Sequence, residues 1–190
     1  MFTKVYWWFI MAKIPEIKTQ IKVPDGVTAI YENERIIIKG EKGEISRTFS
    51  HPKINIKVNG NIIEISSKNI IKKEKALIGT IVAHIKNMIK GVNQGFMYKM
   101  KTVFSHFPIK TIVEGDKFVI QNFLGERSSR TAKILEGVNV EVQGENITVK
   151  GFDKEKVGQT VANIERATRI KKRDVRIFQD GVYRVSKEGN

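Results

Sequence analysis

A chain of 190 residues carrying 34 Lys or Arg against 20 Asp or Glu has a formal net charge of +14, and it holds no cysteine. The missing cysteine excludes disulfides, thiolate zinc sites and cysteine nucleophiles, while the charge points to polyanionic partners, nucleic acid before an anionic membrane surface. Charged residues make up 28%, ordinary for a globular protein, so the basic excess comes from too few acids and belongs to folded domains rather than a polybasic tail.

In chain order, the aromatic opening MFTKVYWWFI has no small-residue cleavage site after it, and Met11-Ala12-Lys13 reads like an ordinary start. Residues 1–11 therefore read as an extension outside the fold. No run approaches the ~18 apolar residues of a membrane span, and the chain reads as soluble and intracellular. A lead-in with Pro15 and Pro24 reaches a turn at Pro24-Asp25-Gly26. Val27 to Tyr31 and Arg35 to Lys39 read as strands joined across Glu32-Asn33-Glu34. Gly40 and Gly43 bracket a tight loop, and Glu44 to Phe49 continues as strand. Ile54, Ile56 and Val58, then Ile63 and Ile65, alternate around Asn59-Gly60, a hairpin signal. The period then changes: Leu77, Ile78, Ile81, Val82, Ile85, Met88 and Ile89 recur at three- and four-residue spacing, which predicts an amphipathic helix ending near Gly91.

The second half repeats this order. Glu114-Gly115-Asp116-Lys117 corresponds to Glu32-Asn33-Glu34-Arg35, and Gly125-Glu126 to Gly43-Glu44. The hairpin recurs as Val138, Val140 and Val142, a turn at Gln143-Gly144-Glu145, then Ile147 and Val149. A second helix carries Gly158-Gln-Thr-Val-Ala-Asn-Ile against Gly79-Thr-Ile-Val-Ala-His-Ile in the first. The paired helix glycines, each unfavourable by ~1 kcal/mol relative to alanine, predict close helix-to-sheet approach at Gly79 and Gly158. Asp153 is placed to cap the second helix. The expected architecture is α+β, two tandem duplicated domains, each an antiparallel sheet packed against a helix, spanning 12–93 and 94–190.

No catalytic constellation emerges. His51 precedes Pro52 at a strand end, His84 lies on the first helix with no second His or acid following at ligand spacing, and His106 sits among Phe104, Phe107 and Pro108. No nucleophile elbow, Walker loop or dinucleotide fingerprint is present. Acid pairs such as Glu114/Asp116 and Asp153/Glu155 read as turn and cap residues. Binding features are stronger. Along Gly95 to Lys101, Phe96, Tyr98 and Met100 share one strand face while Met97, Lys99 and Lys101 share the other. Arg127 and Arg130 flank Ser128 and Ser129, donors suited to phosphate. Arg166 to Lys187 holds eight Lys or Arg against Asp174 and Asp180, together with Phe178 and Tyr183. It reads as the end of the second helix plus the strand that follows, with Asp180-Gly181 as a turn positioning Tyr183 and Arg184. This composition suits a phosphate backbone with accessible bases or riboses.

The stretches GFMYKMKTVFSHFPI (95–109) and RDVRIFQDGVYRV (173–185), set in a duplicated sheet-and-helix chain, resemble the large-subunit ribosomal protein six family in its archaeal and eukaryotic branch. The resemblance covers about Lys13 to Val185. It implies a structural, non-enzymatic protein that binds large-subunit rRNA mainly through its second domain, near the sarcin–ricin loop and the translation-factor landing site. Implied with it are neighbouring ribosomal proteins as partners, a cytoplasmic location in the ribosome, and no cofactor, metal, small-molecule substrate or membrane. Carried onto matching positions, the implied RNA contacts centre on Arg169, Lys171, Lys172, Arg173, Arg176, Gln179, Tyr183 and Arg184. Lys99, Lys101 and His106, with Tyr98, belong to the other matched motif. The bacterial branch has a Gly-Lys-Gly type turn where Phe178-Gln179-Asp180-Gly181 stands here, so bacterial contacts are not carried over. The competing expectation is a free-standing basic RNA-binding module, an RNA chaperone or regulator, that would bind many RNAs alike.

Overall fold

The computed structural model describes residues 14–171 and 173–188, so the 1–11 extension and Lys172 lie outside the described residues. In order, the first half carries β1 (Ile14–Lys22), β2 (Thr28–Glu32), β3 (Arg35–Gly40), β4 (Gly43–Thr48), β5 (Ile54–Asn59), β6 (Ile62–Ile70) and α1 (Lys72–Asn93). The second carries β7 (Phe96–Val103), β8 (Lys110–Glu114), β9 (Lys117–Gln121), a short 3-10 turn (Phe123–Gly125), β10 (Arg130–Lys133), β11 (Val138–Gln143), β12 (Asn146–Gly151), α2 (Lys154–Ala167) and β13 (Gly181–Glu188). The chain divides into two compact units, one running to Lys86 and the other from Asn87 onward, with Lys39–Ile45 belonging to the second.

The sheets run β1-β6-β5 and β2-β3-β4 in the first half, then β10-β9-β8 and β11-β12-β7-β13 in the second. The duplication is visible in register. Ile56 pairs with Ile65 and Val58 with Ile63 across the turn at Gly60-Asn61; Val140 pairs with Val149 and Val142 with Ile147 across Gly144-Glu145. Both turns start on a glycine with positive φ, 57° and 61°, which the tight two-residue connection needs. At the β2–β3 turn the same twist is met without glycine, by Asn33 (φ 49°) and Glu34 (φ 61°). Two antiparallel sheets and one helix per repeat agree with the α+β expectation.

Several local expectations are corrected. The presumed lead-in is strand β1, paired along its length with β6 from Ile14↔Ile70 to Lys22↔Ile62. Helix α1 runs two residues past Gly91, to Asn93, and turns Ile78, Ile81, Ile85, Met88, Ile89 and Val92 inward, whereas Leu77 stays 37% exposed. Glu74 closes the start of α1: its carboxylate accepts from the Ile71 N–H at 2.9 Å and from Lys53 Nζ at 2.7 Å, and these two bonds hold its carboxyl below the ordinary range. The helix glycines do not mark close packing. A Cβ on Gly79 would meet nothing within 4 Å, and one on Gly158 only the Tyr98 hydroxyl at 4.0 Å. Close approach occurs instead at Gly151, where a Cβ would lie 2.7 Å from Val157 Cγ2 and 3.0 Å from the Gly137 carbonyl oxygen.

In the second unit α2 lies over the β11-β12-β7-β13 sheet. Val157, Val161 and Ile164 pack with Tyr98, Met100, Ile147, Val149 and Val182, and with Phe118, Ile120 and Phe123 from the neighbouring sheet and turn. As expected, Asp153 caps the helix, its Oδ1 accepting from the Glu155 N–H at 2.9 Å and the Lys156 N–H at 3.4 Å. Among the described residues no helix is long and apolar enough to cross a membrane.

Candidate nucleic-acid interface

Helix α2 stops at Ala167, so of the described cationic residues between 166 and 187 only Arg166 lies on α2. Arg169, Lys171, Arg173 and Arg176 occupy an irregular connection, and Arg184 and Lys187 lie on β13. This corrects the expectation of a basic helix end. Lys172, one of the expected contacts, lies outside the described residues. Thr168 ends the helix: its Oγ1 donates to the Glu165 carbonyl at 3.2 Å and accepts the Val182 N–H at 3.1 Å. The Arg184 N–H donates to Glu165 Oε1 at 3.1 Å. Two side chains from the end of α2 thus satisfy outward N–H groups of β13, an edge strand of its sheet, blunting the edge against pairing with other chains.

Arg130 fixes the connection at its start. Its Nη1 donates to the carbonyl oxygens of Ala167 (3.0 Å) and Arg169 (3.2 Å), at the carbonyl-rich end of α2 where a cation is favoured. Glu126 holds the other side of the guanidinium in a fork, with Nε at 2.8 Å and Nη2 at 2.6 Å, and the group stands 4.2 Å over the Phe123 ring. The hydrogen-bonded guanidinium pulls the Glu126 carboxyl below its ordinary value, with the charges of Arg130 and Arg173 adding to this. Arg130, expected beside Arg127 as a phosphate donor, is therefore engaged inside the protein, while Arg127, Ser128 and Ser129 are exposed.

The middle of the connection is one helical turn built on Asp174. The Asp174 carbonyl accepts from Ile177 N (3.2 Å) and Phe178 N (3.0 Å), and its Oδ1 accepts from Arg176 N at 2.9 Å. The Arg176 guanidinium returns to the same carboxylate at 3.0 and 3.2 Å. These bonds from Arg176, side chain first and backbone second, lower the Asp174 carboxyl. Arg176 keeps 87% of its side chain exposed, so the pair stays open to a stronger anion. Gln179 Nε2 donates to the Arg176 carbonyl at 3.3 Å, and the Tyr183 hydroxyl donates to the Gln179 carbonyl at 3.1 Å.

At the far end Asp180 is fully buried rather than sitting in a surface turn. Its Oδ1 accepts from the Ser105 N–H at 2.9 Å and lies 3.5 Å from His106 Nδ1. His106 stacks on Phe178 with centroids 4.9 Å apart, and the Arg173 guanidinium stands 4.8 Å from the same ring. The 104–109 loop and the basic connection are therefore pinned together, and His106 serves that joint. On β7 the two-face expectation holds: Phe96, Tyr98 and Met100 are buried, and Lys99 and Lys101 are exposed. Cross-strand pairing sets Lys101 opposite Tyr183, which is 46% exposed, and Lys99 opposite Ser186. Lys101 also faces Glu145 at 3.8 Å.

The geometry thus collects Arg173, Arg176, Gln179, Tyr183 and Arg184 on one tethered segment, with Arg169 and Lys171 exposed before it and Lys99 and Lys101 on the adjoining sheet face. Its two acids are both spoken for, Asp174 by Arg176 and Asp180 by burial. No group of three potential metal ligands occurs among the described residues. Such a surface can bind a phosphate backbone.

Comparison with known proteins bears on the family. The model of the family described as ribosomal protein L6 matches residues 23–95 and again 107–181, once per repeat. The chain belongs to the ribosomal protein L6 family. Members are structural ribosomal proteins and not enzymes. Among similar archaeal proteins, each named large ribosomal subunit protein uL6, that of Methanobrevibacter smithii is 49% identical over 172 residues, covering 90% of this chain and 97% of the relative. That of Methanothrix thermoacetophila is 50% identical, covering 92% of this chain and 99% of the relative. That of Aeropyrum pernix is 47% identical, covering 94% and 98%.

Proposed function

We propose that the chain is a structural constituent of the large ribosomal subunit, in the cytoplasm, that binds large-subunit rRNA chiefly through its second repeat, near the sarcin–ricin loop and the translation-factor site. The observation that carries this reading is the segment 169–184: exposed cations on a tethered connection whose only acids are internally engaged. Counterion release from RNA phosphates would drive binding there. Arg169, Lys171, Arg173, Arg176, Gln179, Tyr183 and Arg184 are the proposed contacts, with Lys99, Lys101 and Arg127 at the margin. Lys172 is retained from the family resemblance. Arg130 and His106 act through the segment they hold. Neighbouring ribosomal proteins complete the surroundings.

The test compares affinity of the full chain for a transcribed large-subunit fragment containing the sarcin–ricin loop with affinity for an unrelated stem-loop, alongside sedimentation with large subunits. The reading expects marked preference for the fragment and entry into the subunit peak. Equal affinities would favour a free-standing RNA-binding module, and a protein remaining at the top of the gradient would refute the ribosomal assignment.

A further inference from the structure

The turn built on Asp174 presents two aliphatic side chains that no core uses. Val175 is 64% exposed and Ile177 65% exposed, on either side of Arg176. Single exposed apolar residues are common on proteins. These two, however, share one hydrogen-bonded turn, fixed from within by Asp174 and followed by the Gln179 and Tyr183 tethers. Their ordering is already accomplished before any partner arrives, which is the condition under which small apolar contacts contribute to affinity.

Resting on the rRNA-binding reading above, we infer that the turn carrying Val175 and Ile177 is an aliphatic knob that packs against riboses in the minor groove of a double-helical RNA segment, with Arg173 and Arg176 on its phosphates. Charge selects an anionic occupant, which the phosphates of the proposed rRNA supply. The connection offers guanidinium groups and no unengaged carboxylate, so a basic protein surface would be repelled and left unpaired. Side-chain chemistry then selects the mode. Base stacking needs an available ring. Phe178 is already engaged by His106 and Arg173, and the Tyr183 ring lies against Gly181, where a Cβ would come within 3.0 Å of it, with its hydroxyl tied to Gln179. Aliphatic groups cannot stack as rings do, but they suit the wide, shallow A-form minor groove, which presents riboses and 2′-hydroxyls and is read by shape.

The experiment titrates full-length wild type, V175S/I177S and R173Q/R176Q with the sarcin–ricin loop fragment and the unrelated stem-loop, over a range of salt. It repeats the wild-type and V175S/I177S titrations with the fragment's paired riboses replaced by 2′-deoxyribose. V175S/I177S should melt like wild type, bind the fragment about tenfold more weakly (~1.4 kcal/mol) and keep the wild-type log–log salt slope, because no phosphate contact is lost. R173Q/R176Q should reduce the slope by about two. The deoxy duplex should bind wild type more weakly and erase most of the difference between wild type and V175S/I177S. Unchanged affinity in V175S/I177S, whether or not its melting temperature falls, overturns the knob, as does a serine effect that persists in full on the deoxy duplex. If wild type itself binds both RNAs equally, the rRNA reading has failed; if wild type discriminates and the serine variant binds as tightly, the knob alone has failed.

Discussion

Replacing Arg130 with Met removes one guanidinium from four sets of contacts. Two are hydrogen bonds to the Ala167 and Arg169 carbonyls at 3.0 and 3.2 Å, one is the fork with Glu126, and one is the stack on Phe123 at 4.2 Å. Bonds from a charged donor contribute ~1.5–3 kcal/mol each, but water can reach these carbonyls once the side chain is gone, so the lower figure applies. The Glu126 pair is partly solvated and adds at most ~1 kcal/mol; the ring contact adds ~0.5–1 kcal/mol, part of which the Met sulfur recovers. The expected loss is about 3 kcal/mol, or roughly 6–12 °C in melting temperature for a chain of this size. R130K should recover less than half, since one ammonium cannot fork to Glu126 and reach two carbonyls. In the rRNA-fragment titration, R130M should weaken binding several-fold with an unchanged salt slope, because the basic connection loses its anchor and not a phosphate contact. A slope reduced by about one with an unchanged melting temperature would refute this and return Arg130 to the RNA surface.

Three further outcomes are expected from unfolding measurements. Gly79→Ala, facing open space within α1, should stabilise by ~0.4–1 kcal/mol, whereas Gly151→Ala, blocked by Val157 and the Gly137 carbonyl, should destabilise by ~1–3 kcal/mol; equal effects would contradict the packing described. Thr168→Val leaves the buried Val182 N–H without its acceptor and should cost ~1–3 kcal/mol in urea titration, and a neutral result would mean the end of α2 does not close the β13 edge. Glu126 is held below its ordinary value of 4.5, so its contribution is complete above that pH and is lost as acid takes the solution through its lower folded value. E126Q should therefore show a shallower loss of stability than wild type below about pH 4.5, and identical acid limbs would contradict the Arg130 fork.

Where structure was set by neighbours a few residues apart, the sequence was legible. Both Gly-centred hairpins, the Asp153 cap and the two-faced strand at Phe96–Lys101 follow from alternation and turn chemistry, and the repeat follows from their order. Strand β1 was missed because Pro15 weakens a strand signal and only Ile17 and Ile21 mark its inner face, while its partners on β6 lie 40 to 56 residues away. The helix glycines misled because a shared position in two repeats carries no information about what faces it. Within the site, the cationic residues were visible but their division of labour was not. Arg130 is distinguished from Arg127 by backbone carbonyls 37 and 39 residues distant, and Asp180 is buried by a loop some 75 residues earlier. Glu165 and Thr168 acquire their roles through contacts 19 and 14 residues away, on strand β13, whereas Glu126 meets Arg130 only four residues along the chain.

The most direct test of the proposed rRNA-binding segment is photo-crosslinking from position 176 in assembled particles. A benzophenone side chain would replace Arg176, whose own side chain is 87% exposed, and large subunits would be isolated by sedimentation before irradiation. The account predicts crosslinks from position 176 to large-subunit rRNA near the sarcin–ricin loop, and none from a control probe at position 79 in α1. Crosslinks from 176 to protein alone, or to rRNA equally from both positions, would contradict it.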